Sequence, residues 1–274
     1  MTTAAPTASR RARPPASRTP LQWVIQIVGE LLITAGLILL LFVAWQLWWT
    51  NIDANRTQQQ AVDSLIQEFN SSSGNGGSNP AAAGQGADAE GTASENVVPD
   101  YDPADPPVVS PPAYGQAYGV VYIPRLGQNY ARPLAEGVGT DVLDTLGLGR
   151  YPSSQMPGEY GNFALAGHRQ TNGAVLDNID LLQSGDNIYV RTAEGYYTYR
   201  VYEHKIVLPN QIEVIAPNPD NPEAPAADAD RRLLTLTSCH PRYGDTERYI
   251  VHAEFVSWQP AEAGAPEEIA AIAG

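Results

Sequence analysis

From Leu21 to Trp49 the chain is almost continuously apolar, and about 20 such residues are enough for a helix to cross the hydrocarbon core of a bilayer. With no water to satisfy its backbone there, such a segment has to be helical. The run divides the sequence into a short side and a long side. Residues 1–20 are Pro, Ala, Ser and Thr with Arg10, Arg11, Arg13 and Arg18 and no acid, the composition of a basic, disordered tail. Those arginines outweigh Arg56 beyond the run, which predicts a cytoplasmic tail and an exported remainder. Glu30 and Gln26 lie toward the basic end, and Trp23, Trp45, Trp48 and Trp49 fall where interfacial aromatics are expected. The run ends in Gln46, Leu47, Trp48 and Trp49 rather than in a small-residue cleavage site, so residues 21–49 read as an uncleaved transmembrane anchor. No apolar step follows the Arg10-Arg11 pair, which therefore reads as topogenic charge.

Residues 50–115 read as an extracellular stalk and disordered linker. RTQQQAVDSLIQEF at 56–69 places Ala61, Leu65 and Phe69 at helical spacing, which suits a helix continuing a few turns beyond the membrane or packing on a neighbour, a short stalk helix being the favoured reading. A Gly, Ser and Ala stretch and then the proline-rich DPADPPVVSPP follow, compositions that build no core. The folded domain is expected over 116–258 and is predicted to fold alone from about residue 112. It reads as short β-runs at Tyr118–Ile123, Asn162–Ala166, Asn187–Thr192, Tyr196–Val207, Leu233–Ser238 and Tyr249–Trp258, with one short helix over Thr140–Leu148. Many strands and few helices imply an all-β fold, closed or sandwiched. Pro217–Arg232 reads as a loop ahead of the strand that ends in the cysteine, and 259–274 as a flexible tail.

With 30 acidic against 16 basic residues and a formal charge of -14, nucleic acid is disfavoured as a partner, because phosphate binding needs clustered Lys and Arg. The single cysteine excludes an internal disulfide, leaving Cys239 as a buried apolar residue, an intermolecular bridge or a reactive thiol. It closes the run LLTLTSC and precedes His240-Pro241, so the thiol lies at a strand-to-loop edge, where a reactive role needs a cationic setting. Of the four histidines, His168 follows the apolar strand FALAG and is the leading base. His204 reads as half-buried and His252 as packing, while His240, adjoining the thiol, should point to the opposite face. Arg248 begins the last strand across the loop RYGDTE, which can fold back as a hairpin and present a guanidinium to an oxyanion, or merely pair with Asp245 or Glu247. No spacing suggests a metal site, a phosphate-cradling loop or a nucleophilic serine.

The ordered set ALAGHR at Ala164–Arg169, LTLTSCHP at Leu234–Pro241 and Arg248 resembles the sortases, in which a His follows a strand, a TLxTC strand ends in Cys and an Arg lies downstream. VVYIPRLG at Val120–Gly127 and YPSSQMPGEYGNFALAGH at Tyr151–His168 look most like the class E housekeeping sortases of actinobacteria. The resemblance implies a closed eight-stranded β-barrel with short helices behind one transmembrane helix. It implies Cys239 as nucleophile, His168 as proton partner without a visible acidic partner, and Arg248 as oxyanion or substrate donor. It also implies substrate contacts at Tyr151, Thr235 and Ser238, with Tyr151 favouring Ala over Pro at the second signal position. Ser238 stands where the pattern has Thr, keeping a hydroxyl and losing a methyl.

No cofactor is implied. The implied reaction cleaves an LAXTG- or LPXTG-like signal on secreted proteins between Thr and Gly and passes the acyl group to a peptidoglycan amine of lipid II type at the cytoplasmic membrane. A pilin polymerase using a lysine amine is disfavoured by the lack of a lid-like segment, and a catalytically silent tethered scaffold would require an inert, buried Cys239.

Overall fold

The computed structural model describes residues 19–73 and 98–273, with side chains throughout except at 46–50. The basic tail through residue 18 and linker residues 74–97 lie outside the described residues. The chain divides into two units, Met1–Leu47 and Trp48–Gly274.

Within the first unit, Pro20–Trp45 is helical, with a mean hydropathy of 2.6 and no burial by protein. It is long and apolar enough to cross a membrane. Its start is encoded locally, since the Thr19 hydroxyl accepts from Gln22 N at 3.4 Å and Gln22 Oε1 accepts from Thr19 N at 3.1 Å, a reciprocal cap with Pro20 at the first helical position. The helix does not stop at the end of the apolar run. As α1 it extends over Pro20–Ser73, so the expected stalk helix is its continuation.

The second unit is a closed barrel of β1 (Ala117–Tyr122), β2 (Ala131–Glu136), β3 (Leu148–Arg150), β4 (Gly161–Gly167), β5 (Asn187–Thr192), β6 (Gly195–Val207), β7 (Arg232–His240) and β8 (Glu247–Pro260). The strands run round it in the order β1-β2-β3-β4-β7-β8-β6-β5. The β2–β3 and β4–β7 pairs are parallel and the others antiparallel. Side chains alternate across a strand, and β1 shows the consequence. Val121 packs inside with Leu134, Phe163, Val190 and Leu236. Val120 and Tyr122 point outward and are nevertheless buried, under α1.

That outer cover corrects three expectations. Val62, Leu65 and Phe69 of α1 pack on Val120, Tyr122, Tyr189 and Tyr196, so residues 51–73 are part of the fold rather than a free stalk. Ile269 and Ala273 join the same cluster, and α3 (Ala270–Ala273) docks where a flexible tail was expected. Arg191, 3% exposed, ties the pieces together by donating to Ala273 O and Asn70 Oδ1, both at 2.7 Å. The proline-rich part of the linker is also docked: Trp258 N donates to Pro103 O at 2.8 Å and the Tyr197 hydroxyl to Pro107 O at 2.7 Å.

Two strands were not anticipated. β2 contains Pro133, which cannot donate to a ladder, but pairing with β3 begins only at Leu134, so Pro133 has a single neighbouring strand. β3 is three residues long, too short to show a period. Its pairing on both edges shortens the expected Thr140–Leu148 helix to α2 (Thr140–Leu143), with Gly147 at φ +86 turning the chain into β3.

Candidate active site

The nucleophile candidate follows from strand register. Cys239, half-buried and free, is the penultimate residue of β7 and lies directly opposite Arg248 on β8. Residues directly opposite in an antiparallel pair share a face, with Cβ atoms about 5 Å apart. The next pair, His240 and Glu247, points to the other face, as alternation requires. The His240 ring is engaged there by Arg169 Nη1 at 2.7 Å. Arginine has no acceptor, so His240 Nδ1 accepts.

His168 is the first residue beyond β4, which runs parallel to β7 in a register pairing Ala166 with Thr237. Both β4 and β7 therefore deliver their last residues to the same rim of the barrel. His168 and Cys239 line one polar cleft of about 300 Å³ with Gln170, Tyr243 and Asp245. The His168 ring has an acidic partner: its Nε2 lies 2.7 Å from Asp144 Oδ1, the side chains being 25% and 44% exposed. Asp144 caps the C-terminal end of α2. This contact corrects the expectation of a histidine without an acidic partner, and no spacing signal links residues 24 positions apart. With Nε2 so engaged, Nδ1 is the ring nitrogen left for proton exchange.

Arg248 is held by its own loop. Its Nη1 donates to Asp245 O at 2.7 Å and Glu247 O at 2.8 Å. Arginine has five donors, so Nε and Nη2 remain without a protein partner among the described residues. The expected alternative, pairing with the Asp245 or Glu247 carboxylates, is not what forms. Arg248 lines a second, narrower groove of about 90 Å³ with Tyr151, Leu208, Ile212, Ile215 and Ile250. This groove is walled by the strand ends of β6 and β8 and by the 3₁₀ turn Ile212–Ile215.

The three expected substrate residues fall in different places. Tyr151 lines the groove, and its hydroxyl is 3.0 Å from Thr237 Oγ1. Thr237 gives its own proton to Leu165 O at 3.2 Å, so Tyr151 donates. Thr237, which lines the same groove, was not anticipated. Ser238 is 3% exposed and donates to Gly167 O at 2.8 Å, tying the residue before Cys239 to the residue before His168. Thr235 is fully buried. Its hydroxyl donates to Asn162 Oδ1 and is met by His252 Nδ1, each at 2.8 Å, while Asn162 Nδ2 donates to Val214 O and Ala216 O at 3.2 and 3.0 Å. Thr235 and Ser238 are thus both buried, on opposite faces of β7, where Thr235 secures the groove wall and Ser238 the strand ends.

The remaining histidines separate by environment. His252 is fully buried, as its place in a strand suggested, and burial pushes its pKa down to about 4. His204 is exposed rather than half-buried and stacks on Tyr249 at 6.0 Å. Arg169, to which the sequence assigned no role, is buried behind His240, paired with Asp180 at 3.0 Å and set over the Tyr249 ring at 5.5 Å.

Residues 121–256 match the family model of the sortase domain. The structure resembles the SrtA sortase from Actinomyces oris, with 42% identity, a TM-score of 0.58 and coverage of 62% of this chain and 96% of that one. The chain belongs to the sortase family. Sortases are cysteine transpeptidases, and sortase SrtE1 of Streptomyces coelicolor, a class E member, is 30% identical over 88% of this chain. The match spans 60% of that relative's length. A crystal structure of sortase E1 from the same species with a tripeptide in the active site is 30% identical, with a TM-score of 0.51 and coverage of 57% of this chain and 99% of that one. The expected eight-stranded sortase barrel is therefore the observed fold.

Proposed function

We propose that this sortase cleaves an LAXTG- or LPXTG-like sorting signal between Thr and Gly and transfers the acyl group to a peptidoglycan amine of lipid II type. The observation that carries the reading is the placement of Cys239 opposite Arg248 on one hairpin, with His168 on the same polar cleft. In the first step the Cys239 thiol passes its proton to His168 and the sulfur attacks the threonine carbonyl carbon. The oxyanion that forms takes hydrogen bonds from the free Arg248 donors. As the C–N bond breaks, His168 returns the proton to the departing glycine amine, leaving a thioester on Cys239. The acceptor amine then attacks that thioester, gives a proton to His168, and the thiolate departs.

The apolar groove beside Arg248 suits the short apolar residues of the signal, and Tyr151 within it is the residue we propose to favour Ala over Pro at the second position. The open cleft on the His168 side suits a polar amine. A peptidoglycan amine is favoured over a pilin lysine because no residue of the docked segment 98–115 lines either concavity among the described residues. The length and hydropathy of Pro20–Trp45, the lack of a small-residue cleavage site at its end and the arginines ahead of it support an uncleaved anchor with the N-terminus in the cytoplasm and the barrel outside.

Incubating the full chain with LAXTG and LPXTG peptides should give a Cys239 thioacyl adduct by mass spectrometry and amide product once a wall-derived amine is added. His168→Ala and Cys239→Ala should each abolish both. Adduct formation in the absence of His168 would overturn its role, and an unlabelled, thiol-inert Cys239 would return the chain to a tethered scaffold.

A further inference from the structure

The inner face of α1 beyond the apolar run is Ala54, Gln58, Val62, Leu65 and Phe69, all less than 9% exposed. Four of these are apolar, as packing on a barrel wall requires. The exception, Gln58, is the most deeply placed, with no exposed surface at all. A buried amide in an apolar seam is destabilising unless every polar atom is matched, and here both are. Gln58 Nε2 donates to Asn172 O, and Gln58 Oε1 accepts from Arg132 Nη1, each at 3.0 Å.

The place where Gln58 inserts is informative. The loop after His168 runs through Asn172, Gly173 and Ala174 with φ of 51°, 88° and 46°, three successive residues in a left-handed region that non-glycine residues adopt only under constraint. α1 supplies that constraint, because Asn172 O is bound by Gln58 and Gly173 N donates to Asn51 Oδ1 at 3.0 Å. The loop then closes on the histidine itself, Leu176 N donating to His168 O at 2.9 Å. Gln58 also abuts the second carrier segment. A Cβ on Gly173 would meet the Gln58 amide at 2.7 Å, and one on Gly147, three residues after Asp144, would meet it at 3.0 Å. One side chain is thus wedged between the turn that follows Asp144 and the turn that follows His168.

We propose that Gln58, assisted by Asn51, is a positioning residue for the transfer reaction: α1 locks the two segments that hold the His168–Asp144 pair. The inference rests on the reading of His168 as the proton carrier. Loosening the wedge should displace that ring while leaving the Cys239–Arg248 hairpin and the signal groove in place. The cost should fall on the chemical step, where misplacement of a reacting group by about 1 Å lowers rates on the order of 100-fold.

The test compares Gln58→Leu with Val62→Ala in the full-length chain in detergent micelles. Val62 lies one turn along the same face, so its truncation weakens the packing of α1 without touching either loop. Gln58→Leu should lower kcat by roughly 10- to 100-fold with KM for the signal peptide within about twofold. It should also raise deuterium uptake over 168–176 while β7 stays protected. Val62→Ala should lower Tm with kcat unchanged. Equal kcat losses in the two variants, or unchanged uptake over 168–176, would overturn the proposal. If Gln58→Leu fails to fold, Asn51→Ala decides, with a smaller kcat loss and raised uptake expected and wild-type values for both overturning it. Turnover that survives His168→Ala would instead sink the catalytic assignment, whereas an inactive His168→Ala beside a wild-type Gln58→Leu would sink the wedge alone.

Discussion

Arg248 faces Cys239 across the hairpin with its Nη1 already committed to two loop carbonyls, so its orientation is fixed before substrate arrives. Preorganised donors act mainly on the charge that develops in the transition state. Arg248→Lys keeps the charge and removes the planar fork, and the single ammonium cannot hold the loop carbonyls and an oxyanion together. Turnover should fall on the order of 100- to 1,000-fold with KM little changed, whereas a raised KM with normal kcat would make Arg248 a ground-state clamp. Asp144 lies against the ring of the proposed proton carrier, His168. It is 44% exposed, so its charge is screened and its main contribution is to orient the ring. Asp144→Asn should cost about tenfold in kcat, and steady-state kinetics on the signal peptide would show a loss far beyond that if Asp144 carried the proton.

At the scale of elements, the groove wall depends on a buried polar chain from His252 through Thr235 and Asn162 to the carbonyls of Val214 and Ala216. The folded-state pKa of His252 is pushed down to about 4, first by burial and then by Lys205, against about 6.5 unfolded. The unfolded chain therefore binds a proton between those values that the folded one refuses. Stability is full above about pH 6.5 and falls as pH drops toward 4, by roughly 3 kcal/mol in total. His252→Gln should flatten that portion of the denaturation profile, and an unchanged slope would place the titration elsewhere. Much at this scale was legible in the sequence, because β1, β4, β6, β7 and β8 carry long apolar or alternating runs. The strand-end placement of Cys239 and His168 was legible for the same reason, but their roles and that of Arg248 were implied only by the family resemblance. β3 was not, being only three residues long, nor was Asp144, whose position depends on where α2 stops. Thr235 and Ser238 belong to the recognised motif, but motif membership does not show which way a side chain points. The burial of these two hydroxyls is set by the parallel β4–β7 pairing, a contact between distant segments.

For the whole molecule, the boundary of the folded unit is wider than composition implied. The proline-rich segment looked like linker because it has few apolar side chains, yet it docks through the carbonyls of Pro103, Ala104 and Pro107, groups that every residue carries and no composition reveals. The α1 extension showed its helical spacing but not its partner, which is the outward face of β1. A chain beginning at residue 112, expected from composition to fold alone, would uncover Val120, Tyr122, Tyr189 and Tyr196 and lose the burial of Val62, Leu65 and Phe69. Burying three such side chains contributes roughly 5 to 8 kcal/mol before the entropy of ordering the helix is subtracted. A net loss near 3 kcal/mol would lower Tm by about 6 to 12 °C for a domain of this size. The truncated chain should therefore melt earlier than one beginning at residue 50 and bind a hydrophobic dye in the folded baseline. Its kcat should also drop, because Asn51 and Gln58 are removed with the helix. Equal melting temperatures and equal dye binding for the two forms would mean that α1 contributes no net stability to the barrel, and would return residues 50–73 to the role of a stalk.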